Sequence, residues 1–445
     1  MPFGTGSPGG SGRSRGPCPF FSKADHQKDS MAQELTRNAD TDEAFTLVLN
    51  AQAVPGSLWT EGQNAILSDA GFAHAANTIR AWPGYAETPL VTLPALAAEI
   101  GVATLHYKDE SPRFGLGSFK ALGGAYAVAR LLQKELSTLL GRAVTMEEII
   151  ARAIPEAARI TVCCATDGNH GRSVAWGAQS FGCGCVIFIH ATVSEGRKAA
   201  IESFGAEVRR TPGNYDDSVR EAQEVASEEG WFVVSDTSYP GYMDVPRDVM
   251  QGYELMAAEA FDALPAPPSH VFVQTGVGGM AAAVTAQAVR RYGADRPKIV
   301  LCDPDRAACF LASYRSGART AVHGDLDTLM AGLACGEVSA LAWEILQDHG
   351  DAVIVLTDAA AIDAMRRLAF PEGGDPALVA GESAVAGVAG LRLAMTDPEA
   401  RALLGLDEAS RILTFGTEGD TDPELYAELV GAPAAQIRAQ QRTTP

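Results

Sequence analysis

Seven short runs of β-branched and apolar residues recur along this chain: RITVCC (159–164), CVIFIH (185–190), WFVVSD (231–236), HVFVQT (270–275), KIVLCD (298–303), AVIVLT (352–357) and RILTF (411–415). Each has the length of a buried strand, and most lead into a glycine-containing turn. Between them, SVREAQEVASEEG (218–230) and AAVTAQAVRRYG (282–293) read as amphipathic helices that stop at glycine. Strand–helix alternation of this kind predicts an α/β fold with mainly parallel sheets, and ligands at the carboxyl ends of the strands. There is no internal repeat. At 445 residues the chain exceeds the size at which one core usually divides, so two domains are expected.

The formal charge of −20 bears on partners. Such a field repels phosphate backbones and anionic lipid, which argues against a nucleic-acid or membrane-surface role. Any phosphate held here must be caught locally by backbone amides. No run of about 18 uncharged apolar residues is present, so no membrane span is expected. The eight cysteines include no C-x-x-C pair and lie mostly in apolar runs, which points to small buried hydrophobes in a reduced, cytoplasmic setting rather than a metal site. Residues 1–30 are rich in Gly, Ser and Pro, and residues 1–40 are expected to be a flexible tail without a secretory signal. Met31 offers an alternative start.

Three strand-to-helix junctions carry unusual composition. CCATDGNHGRSVAWGAQ (163–179) places Thr166, Asp167, Gly168, Asn169 and His170 between a strand and a helix, an arrangement suited to a carboxylate. VFVQTGVGGMAAAV (271–284) places Gly276, Val277, Gly278 and Gly279 before a small-residue helix, with no Lys or Arg in the loop. Glycines let several N–H groups converge on one phosphate, or simply let a helix pack close on a sheet. The spacing is neither that of a nucleotide P-loop nor that of a dinucleotide site. LTFGTEGDTDPE (413–424) puts Thr417, Glu418 and Asp420 at a strand end; a solvated turn with an Asx cap is the plain alternative.

A lone lysine decides between these readings. In RFGLGSFKALGGAY (113–126), Lys120 stands at an apolar helix start, where an ammonium is disfavoured and its pKa is expected to fall. An uncharged amine suits Schiff-base chemistry. An aldehyde for the lysine and one phosphate for the glycine loop together describe pyridoxal 5'-phosphate.

These stretches, with SDTSYPGYMDVPRDVMQGY, LMAGLACGEVSALAWEIL and GGDPALVAGESAVAG, resemble the fold-type II pyridoxal-phosphate enzymes, and among them the diaminopropionate ammonia-lyases. The resemblance runs from about residue 107 to 424, and MAGLACGE and TEGDTDPE are its most specific parts. It implies two three-layer αβα domains with the cofactor in the cleft between them, a smaller one over 126–240 and a larger one built from 41–125 and 241–440.

Carried over by position, the resemblance gives Lys120 as the residue that condenses with the cofactor aldehyde. Asn169 would bond the phenolic oxygen, Gly276 to Gly279 the phosphate, and Thr417 would lie near the pyridine nitrogen. A hydroxyl there leaves that nitrogen mostly neutral, which favours elimination over transamination. Asp167 replaces the serine usual in dehydratases and suits a substrate with a β-ammonium group; Asp236 is implied as a second acid. The bland readings are a helix N-cap for Asp167 and a turn cap for Asp236. Gly117-Ser118 and Gly279 depart from the family pattern.

The implied activity is α,β-elimination of 2,3-diaminopropionate to pyruvate and two ammonia, by a homodimer acting on a small amino acid. The alternatives are a serine/threonine or hydroxyaspartate dehydratase of the same fold, a β-replacement synthase, or a non-catalytic binding protein.

Overall fold

The structure is a computed structural model that describes residues 33–37, 44–166, 168–213 and 215–441. Its strands, in chain order, are β1 (Glu34–Thr36), β2 (Phe45–Leu49), β3 (Leu90–Thr92), β4 (Thr104–Asp109), β5 (Thr161–Ala165), β6 (Gly184–Ile189), β7 (Glu207–Arg210), β8 (Phe232–Val233), β9 (His270–Gln274), β10 (Lys298–Pro304), β11 (Ala352–Leu356) and β12 (Arg411–Gly416). They form an eight-stranded sheet in the order β1-β2-β11-β10-β9-β12-β4-β3 and a four-stranded sheet in the order β7-β6-β5-β8.

Pairing is parallel throughout the smaller sheet and in the middle of the larger one. Antiparallel pairing enters where β2 joins β11 and at both ends of the larger sheet. All seven runs read as strands contain strands, and β9 and β11 are buried at every residue, as a sheet covered on both faces requires.

One expectation needs correction. Glu34–Thr36, within the expected tail, form the edge strand β1; Leu35 is buried while its two neighbours face outward, so period-2 burial holds this segment on the sheet. The rest of the tail lies outside the described residues, apart from Gln33 and Arg37. The glycine pair beside Lys120 serves helix packing. A Cβ on Gly123 would run into Tyr253, and one on Gly124 into Ser173. At Gly177 it would lie 2.8 Å from the Cα of Ala125. The helices Ala121–Leu140, Asn169–Phe181 and Asp244–Ala263 therefore meet almost backbone to backbone.

A buried ion network fixes the segment leading to Lys120. Arg113 donates to both carboxylate oxygens of Glu110, at 2.8 Å each, and to Glu259 at 2.7 and 3.0 Å. Lys108 donates to the same Glu259 at 2.7 Å. These side chains are no more than 1% exposed, and each charge has an opposite partner. Burial on this scale is tolerable only with such complete pairing.

Candidate active site

β9, β12 and β4 are parallel neighbours, so their carboxyl ends open on the same edge of the sheet. The loop after β4 carries Lys120, the loop after β9 carries Gly276–Gly279, and the loop after β12 carries Thr417 and Glu418. Backbone bonds stitch the first and last together: Phe119 N to Thr417 O at 3.0 Å, and Gly419 N to Gly117 O at 2.9 Å. Gln274, the last residue of β9, donates from Nε2 to Phe415 O at 2.9 Å and to Thr417 Oγ1 at 2.8 Å. Thr417 and Glu418 are each 4% exposed, so this turn is not the solvated alternative, although Asp422 beyond it does cap the helix Pro423–Val430.

Lys120 stands at the N-cap of Ala121–Leu140. Its Nζ donates to Asp236 Oδ2 at 2.7 Å and lies 5.4 and 5.8 Å from the ring centres of Phe119 and Tyr253. The expected fall in its pKa is not what this environment produces. Burial does press the amine toward its neutral form, but the adjacent Asp236 charge outweighs it, and the ammonium is held above the ordinary lysine range. Reciprocally, burial would raise the Asp236 carboxyl, and Lys120 holds it below the usual carboxylate range. Asp236 is thus an ion-pair partner rather than a turn cap.

His170 completes this group. Its Nε2 donates to Val234 O at 2.8 Å, and Nδ1 is buried and without a hydrogen bond, 3.8 Å from Asp236 Oδ2. Burial, only partly opposed by Asp236, lowers its pKa.

Asn169 opens the helix Asn169–Phe181, and its Nδ2 donates to Glu418 Oε2. The N-cap residue is Gly168, and Thr166 Oγ1 takes the N–H groups of Gly168 and Gly171 at 3.0 and 3.1 Å. Thr166 therefore caps this helix end. Asp167 itself lies outside the described residues. Arg197, on the helix Glu195–Glu202, reaches Glu382 at 2.8 Å and Asp422 at 3.5 Å, tying the neighbourhood of Asn169 to the loop after β12.

The glycine loop fits an anion. Gly276 and Gly278 have φ of 54° and 96°, and the helix Gly279–Tyr292 has no acidic residue in its first turn. A Cβ on Gly278 would lie 2.5 Å from Phe310. At Gly276 it would lie 3.2 Å from Gly332 O and 3.5 Å from Cys335 Sγ, so MAGLACGE packs directly behind the loop. A Cβ on Gly279 would sit 3.9 Å from Asp236 O, which brings the loop to the Lys120 pair. Val277 O accepts from Ser339 N at 2.9 Å, and Ser339 bonds Ser238, two residues from Asp236. A phosphorylated aldehyde would meet here the Lys120 ammonium, a cradle whose one side chain is Val277, and the His170 ring nitrogen that has no hydrogen bond.

Comparison with known proteins agrees with this geometry. Residues 81–415 match the family model described as pyridoxal-phosphate dependent enzyme. Diaminopropionate ammonia-lyase of Escherichia coli strain K12 is 41% identical over 353 residues, covering 78% of this chain and 88% of that protein. A crystal structure of the Escherichia coli enzyme with an aminoacrylate–pyridoxal-phosphate intermediate superposes with a TM-score of 0.78 at 36% identity, covering 87% of this chain and 96% of that one. A serine dehydratase-like protein of Rattus norvegicus is 26% identical over 293 residues, or 66% of this chain and 79% of that protein. An amine, an anion cradle and this degree of likeness lead to one assignment: the chain belongs to the fold-type II pyridoxal-phosphate-dependent enzymes and, among them, to the diaminopropionate ammonia-lyase family.

Proposed function

We propose that the chain eliminates ammonia from 2,3-diaminopropionate, consuming one water and giving pyruvate and two ammonia. The observation that carries this reading is the Lys120 ammonium paired to Asp236 beside the glycine cradle, in a chain so similar to diaminopropionate ammonia-lyases. The cofactor, when bound, supplies an aldehyde for amine condensation and a ring that accepts the electron pair left by the Cα proton.

The residues divide the remaining work. Gly276 to Gly279 would hold the phosphate, Asn169 the ring oxygen, and Lys120 the aldehyde carbon. Thr417 Oγ1 already accepts from Gln274, so its own O–H remains free to donate to the ring nitrogen. A nitrogen that accepts a hydrogen bond stays neutral, which keeps the electron sink modest and favours loss of a β-group. Lys120 paired with Asp236 is a proton donor; it becomes a base only when that pairing is broken. Asp167 would take the Cα proton on the opposite face, so that both L and D substrates react. The β-nitrogen must leave protonated, and the carboxylates of Asp236 and Asp167 favour its ammonium form.

In the same reading, 126–240 is the smaller unit of a two-part molecule, 41–125 with 241–440 the larger, and the protein works as a homodimer in the cytoplasm. The free thiols of Cys163, Cys164, Cys302 and Cys309 support a reduced setting, and no helix among the described residues is long and apolar enough to cross a membrane. Pyruvate and ammonia assays with diaminopropionate and serine test the activity. Two ammonia per pyruvate, with diaminopropionate the better substrate, is expected; preference for serine would instead mark a dehydratase.

A further inference from the structure

We infer that Glu418 is a positioning residue: it fixes which end of the Asn169 amide is presented to the cofactor's ring oxygen. This rests on the reading of Asn169 as the partner of that oxygen.

Glu418 is 4% exposed and accepts three hydrogen bonds. Its Oε1 takes the backbone N–H of Ser383 at 3.1 Å, and its Oε2 takes Asn169 Nδ2 and the Thr421 hydroxyl, the latter at 3.3 Å. Acceptance from every side is the bonding pattern of an ionised carboxylate. The stem of this side chain packs closely against Gly381. Gly381 N donates to Glu418 O at 3.0 Å, and a Cβ on Gly381 would lie 2.8 Å from Glu418 Cγ. Nearby Glu382 is pushed up to about 8, first by burial and then by the Glu418 charge.

A carboxylate cannot donate, so the end of the Asn169 amide that meets it must be the NH2 group. One amide hydrogen is used there, and the planar group fixes the direction of the other. That second N–H is the donor left for the ring oxygen. Without Glu418 the two ends of the amide are nearly the same shape, and the carbonyl could face the oxygen instead.

Glu418→Gln tests this with little change of volume. The buried Ser383 N–H holds the glutamine oxygen, so the glutamine NH2 faces Asn169 and turns its amide around. The readout is the pH dependence of visible absorption in protein loaded with pyridoxal phosphate. A ring oxygen that loses a donor holds the proton it shares with the Lys120 nitrogen more tightly. Asn169→Ala and Glu418→Gln should therefore each raise the midpoint by about 1 pH unit, the size of one lost charge-assisted hydrogen bond. The double variant should match Asn169→Ala alone, because Glu418 acts through Asn169. Additive shifts, or an unmoved midpoint in Glu418→Gln while Asn169→Ala shifts, would overturn the inference. An unmoved midpoint in Asn169→Ala would overturn the reading of Asn169 itself, and the inference with it.

Discussion

The Nζ of Lys120 lies 2.7 Å from Oδ2 of Asp236, with the two side chains 18% and 17% exposed. This contact reverses what an apolar helix start does to a lysine: burial acts against the charge, and the neighbouring carboxylate restores it. The charge state of the central amine is therefore set by a residue 116 positions away in sequence.

Asp236→Asn should let the Lys120 amine lose its proton at lower pH. The pH at which added pyridoxal phosphate develops its visible band should move down, and turnover should fall by about 10²–10⁴-fold if Asp236 also assists proton transfer. A pH titration of absorbance, together with pyruvate release, checks both. An unchanged titration would mean that Asp236 does not govern the amine.

Asp167→Asn separates the two faces of the substrate. Loss of the base assigned to one face should impair the D isomer of diaminopropionate more than the L isomer. Initial rates with each enantiomer measure this, and equal losses would end the two-base scheme.

Glu259→Ala strips the shared partner from Lys108 and Arg113. Two buried cations are then left with one carboxylate, Glu110, between them, and a loss of about 3–5 kcal/mol is expected for breaking such a pairing. Urea unfolding would reveal it, and because Arg113 leads into the Lys120 loop, cofactor affinity should drop as well. A variant of unchanged stability would show that the network is not a support for that loop.

His349 gives stability a pH dependence away from the active site. It lies between Ser57 Oγ, 3.0 Å from Nδ1, and Gln63 Oε1, 3.1 Å from Nε2. Burial, then the charge of Arg296, lowers its pKa to about 4. In the unfolded chain it titrates near about 6.5, so the unfolded state binds more protons between these values. Its contribution is full above about pH 6.5 and is lost as pH falls toward about 4. His349→Gln should flatten the melting temperature across that window, whereas an unaltered slope would assign it to other groups.

The legibility of this chain followed physical lines. Strands buried on both faces, such as β9 and β11, announce themselves as unbroken apolar runs, and the three loops at their ends were readable from glycine and small polar residues. β4 was harder to read, because its buried His106 and Lys108 break the apolar pattern and are satisfied by partners off the strand, Thr92, Thr88 and Glu259. β1, β3 and β7 are short edge strands with no such run. At the site, Lys120 stood out by itself and Asp236 came only through the family resemblance, and their pairing was not visible. Glu418 and His170 were quoted within motifs yet given no task, since their bonds to Asn169 and Val234 depend on packing between loops. Gln274 left a signal, a lone amide closing an apolar strand, which marks a group needing a buried partner.

Borohydride reduction of the pyridoxal-phosphate-loaded protein, followed by peptide mass mapping, tests the central claim most directly. The pyridoxyl-phosphate mass should appear on the peptide that contains Lys120 and nowhere else, and the visible band should be absent from Lys120→Ala. Label on a different lysine, or a wild-type spectrum in Lys120→Ala, would contradict the account.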